Sequence, residues 1–163
     1  MDQNSGIDWK WCSLRDMPPL LLYQLMAFRE AVFVVEQKCP YQELDGRDEA
    51  AWHLLGMRSR FPVACLRVLI PQSKTSSFRI GRVAVEESWR GKGLARKMIL
   101  MAIDRVYREH GNAGLVLDAQ TYLAGFYTSL GFAISGEEFT EDGIPHVPMR
   151  LDWNAVPYSE QGE

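Results

Sequence analysis

The chain has 163 residues, 47 % hydrophobic and 24 % charged, with a formal net charge of −3. That length suits one domain able to bury roughly two thirds of the surface its unfolded chain exposes. A mildly acidic balance argues against nucleic acid or an anionic membrane surface as partner, and no apolar run approaches the roughly 20 residues of a membrane span.

Residues 1–6 are polar and lack the basic and apolar regions of a signal peptide, so the reading is a cytoplasmic protein. Residues 7–14 then alternate: Ile7, Trp9 and Trp11 face one way, Asp8 and Lys10 the other, as in a half-buried strand. Met17, Pro18 and Pro19 open a helix, since proline is tolerated in a first turn. Leu21, Leu25, Phe28 and Val32 form its buried face, and it frays near Val34. Cys39 and Pro40 stop it, and Asp45-Gly46 is a turn signal. Cys12, Cys39 and Cys65 match no zinc spacing and cannot all pair; they read as reduced thiols, two of them buried as small hydrophobes.

Residues 52–58 and 62–69 are strand-like. The polar stretch 72–77 separates the latter from residues 78–85, so 62–85 reads as an antiparallel hairpin with a long loop. A helix follows over 94–110, with Leu94, Ala95, Met98, Ala102 and Val106 as its apolar stripe and Gly111 as its stop. The short apolar run 115–119 suits a buried strand parallel to the one before the helix. Residues 122–130 form a short helix capped by Gly131, and strands at 132–136 and 146–153 complete the sheet. The reading is an α/β domain over 7–153 with a mixed sheet, followed by a loose tail at 154–163.

The informative turn is Arg90-Gly91-Lys92-Gly93-Leu94-Ala95, between a strand and a helix. The first N–H groups of a helix have no intrahelical partner, and the helix dipole adds positive charge there. Glycines let an anion approach the backbone, while Arg90, Lys92, Arg96 and Lys97 add full charges; together these describe a phosphate site. The same turn also suits a tight bend with a basic, solvated surface. Neither nucleotide pattern fits: the P-loop needs four residues between its glycines and then Lys-Ser/Thr, whereas Gly91 and Gly93 are one apart and Leu94 follows, and the dinucleotide fingerprint needs glycine at Arg96.

Arg90, Gly93 and Ala95 do occupy the three specified places of Arg/Gln-x-x-Gly-x-Gly/Ala. This resembles the pyrophosphate motif of the GCN5-related N-acetyltransferases. Phe126-Tyr127-Thr128-Ser129-Leu130-Gly131-Phe132 is similar to that family's Tyr-x-x-x-Gly-Phe ending. Val32-Phe33-Val34-Val35-Glu36-Gln37, Cys39-Pro40-Tyr41, Asp45-Gly46 and Glu141-Asp142-Gly143-Ile144-Pro145-His146 resemble its ElaA-like branch. The resemblance implies a mixed, largely antiparallel sheet of about seven strands, a central splayed parallel pair and about four helices.

It further implies acetyl-coenzyme A as cosubstrate, an amine as acceptor, no metal, and a monomer or homodimer. Val83, Ala84 and Val85 would pair with pantetheine, Arg90, Gly91, Lys92, Gly93, Leu94, Ala95 and Arg96 would hold pyrophosphate, and Gln120 and Phe126 would flank the arm. Tyr127 would donate a proton to the leaving thiolate, although its aromatic helical stripe equally suits a core position. The base stays open among Glu36, Glu43, Asp45, Glu86, His53 and His146, with Glu36 and His146 ranked first as pocket residues. If the acidic loop 36–49 borders the acceptor, it favours a cationic amine. A non-catalytic acyl-coenzyme A sensor and a purely structural domain are the competing readings.

Overall fold

The computed structural model describes residues 6–157; the polar N-terminal residues 1–5 and the end of the expected tail, 158–163, lie outside them. Among the described residues eight strands form one sheet: β1 (Asp8–Cys12), β2 (Ala51–Arg58), β3 (Phe61–Leu69), β4 (Phe78–Val85), β5 (Leu115–Gln120), β6 (Phe132–Ile134), β7 (Phe139–Glu141) and β8 (Ile144–Leu151). Their order is β1-β2-β3-β4-β5-β8-β6, with β7 also on β8. Three α-helices accompany them: α1 (Pro19–Glu30), α2 (Leu94–His110) and α3 (Ala124–Thr128).

All pairs are antiparallel except β4 and β5. Those two strands are joined through α2, the crossover a parallel pair requires. Side-chain alternation divides the core between the two faces of the sheet. From β3, Ala64, Leu66 and Val68 pack with Leu94, Met98, Ala102 and Val106 of α2, while Cys65 packs with Leu25 and Val32 on the α1 side. Each fully buried aliphatic side chain contributes about 1.5–3 kcal/mol, so both helices are held by their stripes.

The expected strands and helices are present, with shifted ends. α1 ends as an α-helix at Glu30 and continues as one π-helical turn, Ala31–Glu36, which brings Glu36 to Arg90, beyond the end of β4. α3 is shorter than the spacing suggests because Thr121–Leu123 is a 3-10 turn. β7 is the strand beyond the expected seven. It pairs with β8 across Asp142 (φ +49°) and Gly143 (φ +77°), a two-residue turn with positive φ at both positions.

The packed body also runs past Trp153. Trp153–Ala155 forms a 3-10 turn, and Val156 is buried in the α2-side core. The loose tail therefore does not begin at Asn154: Val156 brings its apolar side chain onto the sheet. Of the thiols, Cys39 and Cys65 are buried, and none of the three is paired.

Candidate active site

The site begins with a flaw in the sheet. β4 pairs with β5 only at Phe78↔Leu115 and Arg79↔Val116, after which the strands part. On its other edge β4 carries a bulge: Cys65 faces Ala84 and Arg67 faces Gly81, so one residue of β3 opposes two of β4. Arg82, at the bulge, has φ +51°, a conformation that costs a non-glycine residue energy. Its guanidinium is anchored by Glu43 Oε1 at 2.6 Å and the Glu43 carbonyl at 3.0 Å. Arg79 and Asp118 pair at 2.7 Å where the gap opens.

The ladder shows where the backbone of β4 points. Glu86 N–H donates to Val63 O at 2.8 Å, one residue outside the Ala64↔Val85 pair. In an antiparallel ladder this marks a non-hydrogen-bonded pair, whose own N–H and C=O point away from the partner strand. Val85 therefore turns both groups toward the gap left by β5.

The turn after β4 completes that end. Gly91 and Gly93 have φ of +74° and +79°, where a side chain is strained. A Cβ on either would meet nothing within 4 Å, so the space above both is open. The 17-residue α2 starts at Leu94 with no side-chain cap, leaving its first N–H groups available to an anion. Leu94 is buried and anchors the helix start. Lys92 lies over the Trp89 ring at 4.6 Å, and Arg96 contacts Ser129 Oγ at 3.4 Å.

A cavity of about 810 Å³ occupies the gap and continues to the α1 side. Val83, Ala84, Val85, Arg90, Gln120, Tyr127, Glu36 and His146 all border it. Gly91, Lys92, Gly93, Leu94, Ala95 and Arg96 lie beside it along the turn rather than in its wall. Phe126 is not in the wall either; it packs edge-on against Tyr127 at 5.1 Å. Tyr127 is buried to 8 % exposure, and burial pushes its phenol up to about 12. It is at once core and cavity wall.

His146 Nδ1 lies 2.7 Å from Ile144 O. A carbonyl only accepts, so Nδ1 carries the proton and Nε2 of the neutral ring holds the lone pair. Nε2 is 4.0 Å from Glu141 Oε2. Glu36 stands differently. Its carboxylate takes Arg90 Nη1 at 2.5 Å and Nη2 at 2.8 Å, and this pairing holds it below the ordinary carboxylate range. A carboxylate so engaged is a weak base.

The acidic loop is not the cationic trap its composition suggests. Glu43 pairs with Arg29 and Arg82, Asp45 with Arg67 and Arg82, and Asp48 with Arg29 and Arg67. Three carboxylates meet three arginines, which cancels the expected field. Glu49 pairs with Arg15, outside the cavity. His53 is buried with Nε2 2.9 Å from the Asp48 carbonyl, and burial lowers its pKa. Neither His53 nor Glu86 borders the cavity.

The arginines were missed from the sequence, though a signal existed. Arg67 interrupts the apolar run of β3, and Arg29 follows Leu25 by four residues on the buried stripe of α1. A charge in such a place requires a buried partner. Among the described residues no group of three or more His, Cys, Asp or Glu could hold a metal ion, and no helix is long and apolar enough to cross a membrane.

A parallel pair that parts beside an uncapped helix start is the architecture of the GNAT acyltransferase fold. The acetyltransferase (GNAT) domain model matches residues 26–153, and the chain belongs to that family. Among its relatives, ElaA of Escherichia coli is 36 % identical over 145 residues, covering 88 % of this chain and 95 % of that protein. The crystal structure of Escherichia coli ElaA superposes with a TM-score of 0.84 at 34 % identity, covering 90 % of this chain and 99 % of the other. An acyl-CoA N-acyltransferase from Pseudomonas aeruginosa gives 0.85 at 37 % identity, with the same coverage. A GNAT acetyltransferase from Elizabethkingia anophelis, solved with acetyl-CoA bound, shares the fold at 15 % identity, TM-score 0.65, over 91 % of this chain and 99 % of that one.

Proposed function

We propose that the chain transfers an acetyl group from acetyl-coenzyme A directly to a primary amine. One observation carries the reading: the β4–β5 gap, with Val85 backbone groups turned into it, ends at the open glycine turn and uncapped start of α2. The residues present fit the cosubstrate. Backbone groups of Val83 and Val85 pair with the pantetheine arm, Gln120 meets its amide, and residues 90–96 receive the pyrophosphate on helix N–H groups.

The bound thioester supplies the activated acyl carbon. Val85 N–H, facing the gap, steadies negative charge that develops on the carbonyl oxygen. His146 Nε2 accepts a proton from the acceptor ammonium before attack, leaving a free amine whose lone pair forms the new bond. As the carbon–nitrogen bond forms and the carbon–sulfur bond breaks, Tyr127 gives its phenolic proton to the thiolate, and the second proton shed by the nitrogen restores the phenol. A phenol raised to about 12 stays protonated near neutrality and so remains a donor.

The test is a calorimetric titration with acetyl-coenzyme A, using Gly93→Asp as control. A Cβ at Gly93 meets nothing within 4 Å, so the carboxylate enters open space; the φ of +79° strains the variant, and thermal melting checks that it folds. Binding by the wild type and none by the variant is the expected result. No binding by a folded wild type would sink the reading. Thiol release across an amine panel then separates transferase from sensor.

A further inference from the structure

We propose that Glu36 is a positioning residue for acyl-coenzyme A binding: it holds Arg90, and through Arg90 the end of β4, and takes no proton from the acceptor. This rests on the reading just given. Glu36 and Arg90 are 54 residues apart, sit on different elements and both border the cavity. Glu36 ends the π-helical turn, which is tied to the α1-side core through buried Val32 and partly buried Phe33. Arg90 begins the glycine turn.

The contact is a fork on a fork, the geometry that suits guanidinium and carboxylate best. The third nitrogen is used too: Arg90 Nε donates to Val85 O at 2.9 Å. The peptide joining Val85 and Glu86 is thus fixed at both ends, its carbonyl by Arg90 and its N–H by Val63 O. That peptide terminates the strand along which the pantetheine runs. Arg90 cannot keep its plane there with one anchor alone, because a long side chain about 40 % exposed has rotamer freedom to lose.

A second consequence concerns the anion. With Glu36 on it, Arg90 presents little net charge, so the pyrophosphate is left to the backbone N–H groups of the turn and α2. Arg90 then acts by shaping the end of β4 rather than by clasping phosphate. The low carboxyl pKa of Glu36 agrees with this role and not with that of a base.

The experiment combines calorimetry with coenzyme A and steady-state kinetics on wild type, Glu36→Gln, Arg90→Gln and the double variant. Glu36 is half exposed, so thermal melting of each variant serves as the folding control. Glu36→Gln should weaken coenzyme A binding about three- to tenfold and raise KM for acetyl-coenzyme A equally, with kcat within about twofold and the acid limb of its pH profile unmoved. Arg90→Gln should do the same, and adding Glu36→Gln to it should cost nothing further, as for residues acting through one contact.

A hundredfold fall in kcat with unchanged binding and a lost acid limb would make Glu36 the base and overturn the proposal. Unchanged binding and kinetics in Glu36→Gln, or additive losses in the double variant, would overturn it as well. A wild type that binds no coenzyme A would remove the parent reading and this one with it, so the two failures are distinct.

Discussion

Arg29 and Glu43, 14 residues apart in the chain, meet at 2.8 Å with side chains only 1 % and 5 % exposed. Removing one partner of such a pair leaves a buried charge uncompensated, at about 3–5 kcal/mol. Glu43 and Asp48 keep Arg82 and Arg67 as second partners, which places Arg29→Met toward the lower end of that range. Urea denaturation should show a stability loss of about 3 kcal/mol. A change under 1 kcal/mol would mean that the network tolerates the loss by admitting water.

The same network sets an acid limit. Arg67 above all holds the Asp45 carboxyl well below its usual range; at Asp48 burial pulls upward, but Arg29 and Arg67 outweigh it. Groups with depressed folded pKa contribute stability that is complete above the unfolded value, about 4, and is lost as pH falls through the folded values. His53 adds an earlier step. Burial lowers its pKa, so below about 6.5 the unfolded chain takes up a proton that the folded chain refuses. Stability should decline gently from about pH 6.5 and steeply below about pH 4. Denaturant midpoints measured for His53→Gln should lose the first slope and keep the second.

Gly131 ties the last packed residues to the end of α3, the helix that carries Tyr127. Its φ is +102°, and a Cβ there would stand 3.0 Å from Val156 N and 3.1 Å from Ala155 C. Its carbonyl also accepts Asp152 N–H at 2.9 Å. Gly131→Ala meets strain and backbone contact together, so a destabilisation of about 1–3 kcal/mol is expected. Thermal melting checks it, and an unchanged midpoint would show that the segment 152–156 yields freely.

What the sequence makes legible here is local. Residues 81–119 hold strand, turn, helix and strand in one run, and Arg90, Gly93 and Ala95 sit within six positions, so periodicity and spacing suffice. The buried charge network joins residues 29, 43, 45, 48, 67 and 82, and no periodicity links those. Asp142-Gly143 is a hairpin signal, but its flanking strand Phe139–Glu141 has only three residues, all exposed, and shows no apolar alternation. Glu36 could be picked out as a pocket residue, yet its engagement with Arg90 depends on a π-helical turn that no spacing rule foretells. The acidic loop misleads for the same reason: charge counted along the chain ignores arginines brought in from α1, β3 and β4.

Tyr127 answers the question of catalysis most directly. Its ring is packed by Phe126 at 5.1 Å and Phe132 at 6.0 Å, so Tyr127→Phe removes the hydroxyl and keeps the packing. Loss of a positioned general acid costs typically 10²–10⁴-fold. The variant should therefore lower kcat about a hundredfold or more, leave coenzyme A affinity within about twofold, and melt within a few degrees of the wild type. The pH profile supplies a second check. With the phenol raised to about 12, the donor form persists through pH 10, so any alkaline fall in kcat below that value belongs to another group. An alkaline limb near pH 9 that vanished in Tyr127→Phe would contradict this assignment, and a kcat equal to that of wild type would leave the tyrosine a core residue only.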